Sequence, residues 1–259
     1  VMNTAFCGNY AFWSGAALYN RNGAAPTFDC CAVVGNRVAY YGGAVFNEAA
    51  AGFFLNVTIA YNKSGYTTIH DWFANPVYVN ATITANRVNT NWYGGAVCND
   101  FATHIFVNSI IHGNETANPA LYGGPIAVSD ANFKPILVYC LIEGGQNGVS
   151  TAGENPVAAV FPNLSLRDQD PLFAPLDDNG GGTPSMAISA ASPAKNGGCV
   201  LYRDLNSVLF FPHLDGKYHT IGLSNGNYAP LSLNDQVNAR DQRGAPRGWS
   251  DVGAFECGD

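Results

Sequence analysis

The chain has 259 residues, of which only 12% are charged and 29 are glycine, and its formal net charge is −7. This net negative charge argues against nucleic acid as a partner, because affinity for the phosphate backbone comes from Lys and Arg side chains. The sequence has no apolar run of about eighteen residues, so no membrane-spanning helix is expected. Low charge and abundant glycine favour stacked strands and tight turns over a helical bundle.

Two short motifs recur along the first half of the chain with a period of roughly 26 residues. The first motif, Gly-Gly-Ala-Val followed by Asn two residues later, occupies Gly42–Asn47 and returns at Gly94–Asn99. The second motif places an aliphatic residue or Phe three positions before an asparagine. Its asparagines are Asn9, Asn36, Asn62, Asn86 and Asn114. Two motifs with one period indicate that the chain is built from consecutive, similar coils.

Each repeat contains short alternating runs that are rich in β-forming residues and are bounded by Gly and Asn. The alternation predicts an inward face formed by Leu55, Val57, Ile59, Val79, Ala81 and Ile83. It predicts an outward face formed by Asn56, Thr58, Asn80 and Thr82. Because one coil cannot bury its apolar face alone, neighbouring coils must stack about 4.8 Å apart. The sequence therefore predicts an all-β fold, a single-stranded right-handed parallel β-helix of about six coils.

The two halves of the chain are predicted to differ in regularity. Residues 1–165 form the coils, starting in the middle of one, and 166–259 form the last coil or coils and an irregular tail that wraps or caps the C-terminal end. The candidate charge network of this tail consists of Arg243, Arg247, Asp251 and Glu256. The segment Val1–Asn9 has the phase of an edge strand, so we expect it to be covered by further coils or by head-to-tail self-association.

The seven cysteines match no zinc-binding spacing, so a structural metal is not expected. Cys199 and Cys257 both lie in the tail, and a disulfide bond between them is one prediction. Cys31 and Cys140 fall on the inward phase of their strands, where a cysteine behaves as a small apolar residue, and Cys30 faces the other way.

The repeats resemble those of polymorphic outer-membrane proteins and related pectin-lyase-like β-helices. The second half of the chain resembles the C-terminal region of the choice-of-anchor Q family. The ordered blocks that carry this likeness are Asp170–Phe173, Asp178–Pro184, Ser192–Ala194, Asp241–Arg247 and Asp251–Glu256. In that family Ile-Asp-Ala-Gly usually follows Ser-Pro-Ala, whereas this chain has Lys195–Gly198. The resemblance implies a β-helix that is secreted or attached to the cell surface, and it assigns no chemistry.

Stacking turns equivalent positions into columns, which give the candidate sites. The turn column that contains Asn62 is predicted to be structural, since Asn amides can form ladders between coils. The next position is basic in three successive coils (Arg37, Lys63 and Arg87), and like charges on adjacent strands are costly unless they splay apart or meet an anion. Further ligand-binding candidates are the aromatic residues Trp72 and Trp92 and the acids Glu48, Asp71 and Asp100. The acids could instead hold Ca²⁺ or be solvated, while no other cofactor is predicted.

The predicted function is a structural or adhesive role outside the cell or on its surface, with polysaccharide or cell-surface glycan as the partner. The alternative is a polysaccharide lyase or glycoside hydrolase that acts on acidic polysaccharide. No catalytic residue is assigned, because the five histidines are scattered along the sequence. Strand spacing separates Glu48 and Asp100 by about 9.6 Å, slightly more than the carboxyl separation of inverting glycosidases.

Overall fold

The computed structural model describes residues 1–89, 95–117, 124–130, 132–151, 168–199, 201–203, 209–212, 218–221, 240–247 and 251–255. These residues contain an all-β parallel β-solenoid, as the sequence predicts, with about five turns where the sequence indicates about six coils. Each complete coil supplies one strand to each of four parallel sheets, which we name sheets A to D in the order in which a coil visits them. Among the described residues, none forms a helix that is long and apolar enough to cross a membrane.

The strands are short, at two to four residues each in the solenoid. The first two coils contain β1 (Ala5–Cys7), β2 (Tyr10–Ala11), β3 (Leu18–Arg21), β4 (Thr27–Asp29), β5 (Ala32–Val34), β6 (Arg37–Val38) and β7 (Val45–Glu48). The next two contain β8 (Phe53–Leu55), β9 (Thr58–Ala60), β10 (Lys63–Ser64), β11 (Ile69–Trp72), β12 (Val77–Val79), β13 (Thr82–Thr84), β14 (Arg87–Val88) and β15 (Val97–Asp100). The last coils contain β16 (Ile105–Val107), β17 (Ile110–His112), β18 (Glu115–Thr116), β19 (Ile126–Val128), β20 (Ile136–Val138), β21 (Leu141–Ile142), a 3-10 turn (Gly145–Gly148) and β22 (Val149–Thr151).

Sheet order follows coil order throughout. Sheet A is β4-β8-β12-β16-β20, sheet B is β1-β5-β9-β13-β17-β21, sheet C is β2-β6-β10-β14-β18, and sheet D is β3-β7-β11-β15-β19-β22. In sheet D, Ile69 is paired with Val45 on one side and with Val97 on the other. In sheet B, Ile59 is the register partner of Ile83. These pairs join residues that the two sequence motifs align, so the predicted repeat register is confirmed.

Side chains of sheets A, B and D meet in a continuous interior core. The predicted inward positions Val57, Ile59, Ala81 and Ile83 are buried there, which confirms them. A stack of aromatic rings runs along the axis from sheet A: centroids are 5.0 Å apart for Phe28 and Phe54, 4.6 Å for Phe54 and Tyr78, and 4.8 Å for Tyr78 and Phe106. Cys31 and Cys140 also lie in this core, whereas the Cys30 thiol lies outside it, 3.6 Å from the Asp241 carbonyl oxygen.

The predicted inward positions of Leu55 and Val79 are wrong. Asn56 and Asn80 adopt left-handed backbone conformations, with φ of 53° and 51°, and each ends one strand and begins a new one in the next sheet. The corner resets the alternation, so Phe54 points into the core and Leu55 packs in a second, outer cluster. Asn tolerates this conformation better than most residues, which explains its recurrence at this corner.

The tail lies along the flank of the solenoid over sheets A and B. It contains β23 (Phe173–Asp177), β24 (Ser185–Ile188), β25 (Tyr202–Arg203), β26 (Leu209–Pro212) and β27 (Tyr218–Ile221), paired antiparallel in two small sheets. Its contacts reach the first coils, because the Thr183 hydroxyl donates to the Cys30 carbonyl oxygen over 3.0 Å. The predicted wrapping thus extends to the end of the solenoid opposite the one that the sequence indicates.

Two predictions about the tail, the disulfide bond and the charge network, each involve a residue outside the described part of the chain. Cys257 and Glu256 lie outside the described residues, and with them the proposed disulfide bond and one member of the charge network. Within that network, the Arg247 guanidinium donates to the carbonyl oxygens of Asp251 and Gly253. The Arg243 guanidinium lies 2.6 Å from the carboxylate of Asp241, which is completely buried.

Candidate functional site

The structure distributes the candidate ligand-binding residues over two outer faces and the interior. Arg37, Lys63 and Arg87 lie on the outer face of sheet C. Glu48, Trp72 and Asp100 are in register on sheet D, and their partial exposure places them on its outer face. Asp71 also belongs to sheet D but is completely buried. Trp92 lies outside the described residues.

The asparagine column forms a continuous hydrogen-bonded ladder at the corner between sheets B and C. The side-chain amide of Asn36 donates to Oδ1 of Asn62 over 3.0 Å, and that of Asn62 donates to Oδ1 of Asn86 over 2.9 Å. Asn9 and Asn114 extend the ladder at its two ends in the same way. Each interior amide also donates to a backbone carbonyl group, as Asn62 does to Val33. The ladder therefore holds this corner in the same conformation in each of these coils, and it aligns the backbone positions of the residues that follow the asparagines.

The three basic residues follow this ladder and form a row that we call the basic row. Lys63 is paired with Arg37 on one side and Arg87 on the other, so the charged groups start from strands about 4.8 Å apart. All three side chains are exposed. The row ends at the exposed Glu115, whose carboxylate lies 3.8 Å from Nε of Arg87, and begins at Tyr10, whose ring lies 6.0 Å from the Arg37 guanidinium.

A groove of about 710 Å³ runs beside the basic row. Its other wall is the column of residues that precede the ladder asparagines. Their backbones are left-handed in every coil, at Gly8, Gly35, Tyr61, Ala85 and Gly113. Tyr61 departs from the glycine pattern, and its side chain is 45% exposed in this groove. Sequence reasoning missed Tyr61, although its position in place of the glycine of a repeated Gly-Asn pair was a usable signal.

Asp71 lies at the interior end of a second polar ladder. The Asn20 amide donates to Asn47, and the Asn47 amide donates to Asp71 Oδ1 over 2.5 Å. The other carboxylate oxygen of Asp71 lies 2.8 Å from Nε2 of His104, and both side chains are completely buried. Burial, and after it the charge of Asp71, raises the pKa of the Tyr78 hydroxyl well above its usual range. This arrangement places Asp71 among buried polar side chains of the core and removes it from any surface site.

The acids of sheet D flank Trp72 on the outer face. Glu48 accepts a hydrogen bond from the Tyr19 hydroxyl, and Asp100 Oδ2 lies 3.6 Å from Nε2 of His70. The polar contact with His70 holds the pKa of Asp100 below its ordinary value, with a further contribution from the Ser129 hydroxyl and against the opposing effect of partial burial. Asp100 is therefore a carboxylate at neutral pH.

The predicted Ca²⁺ ligands are not brought together. Glu48 and Asp100 lie on the outer face, with the strand of Trp72 between them, while Asp71 faces the core. Over the part of the chain that the structure describes, no group of three or more His, Cys, Asp or Glu side chains is arranged to hold a metal ion.

Comparisons with protein-family models, with curated proteins and with solved structures find no match to this chain.

Proposed function

We propose that this protein is a secreted or cell-surface β-solenoid that binds extended acidic polysaccharide along the basic row. The observation that carries the proposal is the register of Arg37, Lys63 and Arg87, which aligns three exposed cations along the solenoid axis. Three like charges at strand spacing repel one another, and an anionic chain lying along the axis removes that cost. The likeness of the tail blocks to choice-of-anchor Q proteins supports a location outside the cell.

The shape of the groove favours a polymer of sugar rings as the ligand rather than a compact anion. It runs along the row, past the lining residues Gly35, Tyr61, Ala85 and Gly113, so several monomers fit beside successive coils. Tyr61 presents an aromatic ring next to Lys63, and the apolar face of a sugar ring packs well on such a ring. A uronic-acid polymer supplies both features, since each ring carries a carboxylate.

The ring of Tyr61 is displayed at a conformational cost. Its φ of 56° falls in the left-handed region, which costs about 1–2 kcal/mol for a residue with a Cβ atom. Gly8, Gly35 and Gly113 adopt the same conformation in other coils without that cost. A strained residue whose side chain is exposed beside three cations is better explained by ligand contact than by folding.

Binding of polygalacturonate and alginate, measured by calorimetry at two salt concentrations, tests the proposal. We expect the wild-type protein to bind and the triple variant Arg37→Gln, Lys63→Gln, Arg87→Gln to bind at least about 10-fold more weakly, because each exposed charge contributes a few tenths to one kcal/mol. Added salt should weaken wild-type binding, since exposed charges are screened. The control is Lys134→Gln, which removes one exposed positive charge away from the row and should bind as the wild type does.

Tyr61→Gly separates a role in binding from a role in folding. It should lower affinity by about 10-fold or less while leaving the melting temperature equal to that of the wild type or higher, because it removes left-handed strain. Equal binding by wild type and triple variant contradicts the proposal. Unsaturated products, detected by their ultraviolet absorbance after incubation with these polymers, would favour the lyase alternative instead.

A further inference from the structure

A third column of left-handed residues lies at the corner between sheets D and A, and it presents aromatic rings to solvent. Asn22, Ala49, Phe73 and Phe101 occupy equivalent positions in successive coils, with φ of 58°, 48°, 49° and 53°. The corner itself does not require an aromatic residue, since Ala49 and Asn22 serve in the same place. Bulky residues are genuine outliers in this conformation, which makes both phenylalanines candidates for a functional role.

The rings of this column form a platform together with Trp72. Phe73 and Phe101 stack with centroids 5.1 Å apart and ring planes inclined by 11°, and the Trp72 ring lies 5.7 Å from that of Phe73. Phe73 is 58% exposed, and Trp72 and Phe101 are each 39% exposed. In the preceding coil the column holds only the methyl group of Ala49. The Phe73 ring therefore has no aromatic neighbour from this column in the preceding coil, in keeping with its high exposure.

Hydrogen-bond acceptors lie on both sides of this platform. Glu48 and Asp100 are the register partners of Trp72 in the preceding and the following coil. Both already contact a polar side chain, Tyr19 and His70 respectively. A carboxylate can accept about four hydrogen bonds, so each retains acceptor capacity for a ligand hydroxyl. Arg21 is the register partner of Glu48 on its far side and reduces the net negative charge of the row.

We infer that Trp72 and Phe73 form a binding platform for a neutral sugar ring, whose apolar C–H face packs on the aromatic rings and whose hydroxyls donate to Glu48 and Asp100. The site is on a different face from the basic row and does not depend on the function proposed for that row. The two carboxylates disfavour an anionic ring. A cationic amino sugar is disfavoured because the cationic residue Arg21 is already the register partner of Glu48.

The test is titration of the full-length protein with neutral hexasaccharides (cellohexaose, xylohexaose and mannohexaose) in parallel with the hexamers of galacturonic acid and glucosamine. At least one neutral hexasaccharide should bind, and Phe73→Gly and Trp72→Ala should each reduce its affinity about 10-fold. Phe73→Gly should keep or raise the melting temperature, because Gly is favoured in the left-handed region; a purely packing role predicts a lower melting temperature and unchanged binding. Phe12→Ala, which removes an exposed ring on another surface, is the matched control.

Two further variants test the carboxylates without disturbing the rings. Glu48→Gln and Asp100→Asn should each weaken neutral-sugar binding several-fold, whereas the triple glutamine variant of the basic row should leave it unchanged. The inference is overturned if every neutral hexasaccharide fails to bind, if only the glucosamine hexamer binds, or if neutral-sugar binding survives both Phe73→Gly and Trp72→Ala.

Discussion

Single residues at the corners explain much of the behaviour of this chain. Asn56 and Asn80 are left-handed and convert one apparent strand into two. The sequence shows an unbroken alternation through these positions, so sequence reasoning assigned Leu55 and Val79 to the core. The left-handed backbone of these asparagines, whose main-chain amides donate to carbonyl groups of the next coil, turns Leu55 and Val79 away from the core. The ring of Phe73 escaped prediction for a similar reason, whereas Tyr61 could have been found from the glycine that it replaces in a repeated Gly-Asn pair.

Asp100 gives a prediction of pH dependence at the residue scale. Its pKa is lowered in the folded protein, chiefly by the contact with His70, so its contribution to stability is present above the unfolded-state value of about 3.9 and is lost as pH falls through the lower folded-state value. The melting temperature of Asp100→Asn should therefore lie below that of the wild type at pH 5, because the variant lacks the stabilising carboxylate.

That difference should shrink as pH falls below about 4, because the carboxylate of the unfolded chain then takes up a proton while the folded-state pKa is lower. Differential scanning calorimetry of both proteins across this range measures it. Glu115→Gln is a suitable control, since Glu115 is exposed and its ion pair with Arg87 is screened. A constant difference between wild type and Asp100→Asn at every pH would contradict the assignment.

At the scale of the structural element, the hydrogen bonds of the asparagine ladder stabilise the stacking of the coils. Asn62 is completely buried, accepts hydrogen bonds from the backbone and side chain of Asn36, and donates to Asn86 and to Val33. Asn62→Ala leaves several of these groups buried and unpaired, which should lower the free energy of unfolding by about 2–4 kcal/mol.

Denaturant unfolding of Asn62→Ala beside Asn9→Ala measures this effect. Asn9 occupies the first rung of the ladder and is exposed, so its loss should cost less than about 1 kcal/mol. Equal costs at the two positions would mean that burial does not determine the strength of the ladder.

The contrast between the ladder and the ligand-binding candidates shows what sequence can predict at the element scale. Equivalent positions of a repeat coincide in space, so the register of Ile59 and Ile83, and the column that contains Asn62, follow from spacing alone. The face of the strand on which a side chain lies does not follow as simply. Asp71 and Glu48 are close in the repeat, yet one faces the core and the other faces solvent, because adjacent residues of a strand point to opposite faces.

At the scale of the whole molecule, the tail and the solenoid form one folded unit through buried polar contacts. Gln242 is the centre of these contacts: its side-chain oxygen accepts from the Thr58 hydroxyl over 2.6 Å, and its amide donates to Thr183 and to the Pro184 carbonyl oxygen, both over 2.9 Å. Later in the tail, the backbone amide of Gly253 donates to the Asn108 carbonyl oxygen of the solenoid, and that of Ala254 donates to the Thr82 hydroxyl. Motifs predicted that a tail exists, but nothing periodic in its sequence indicates the flank on which it lies.

Gln242→Ala should loosen the tail along its length. Thr58 and Thr183 would remain buried with fewer partners, which should lower stability by about 1–3 kcal/mol. We expect faster hydrogen exchange at the Gly253 and Ala254 amides, whose hydrogen bonds cross from the tail to the solenoid, with little change in the ladder amides of Asn36 and Asn62. Hydrogen exchange followed by mass spectrometry measures both.

Arg240→Ala is the matched control, because Arg240 is exposed and its side chain donates within the tail, to Gly244. Unchanged exchange at both tail amides in Gln242→Ala would show that other contacts, such as the apolar packing of Val252 and Leu201, hold the tail in place without Gln242.

The asparagine ladder also gives the solenoid an electrical polarity. From Asn9 to Asn86 each side-chain amide donates to Oδ1 of the asparagine in the next coil, so these asparagine-to-asparagine hydrogen bonds line up head to tail and each rung polarises its neighbours. The column at the other corner of sheet B runs in the opposite sense, with Asn80 donating to Asn56 and Asn56 donating to Asp29. Each column can therefore gain cooperative strength along the axis while the opposed dipoles of the two columns partly cancel.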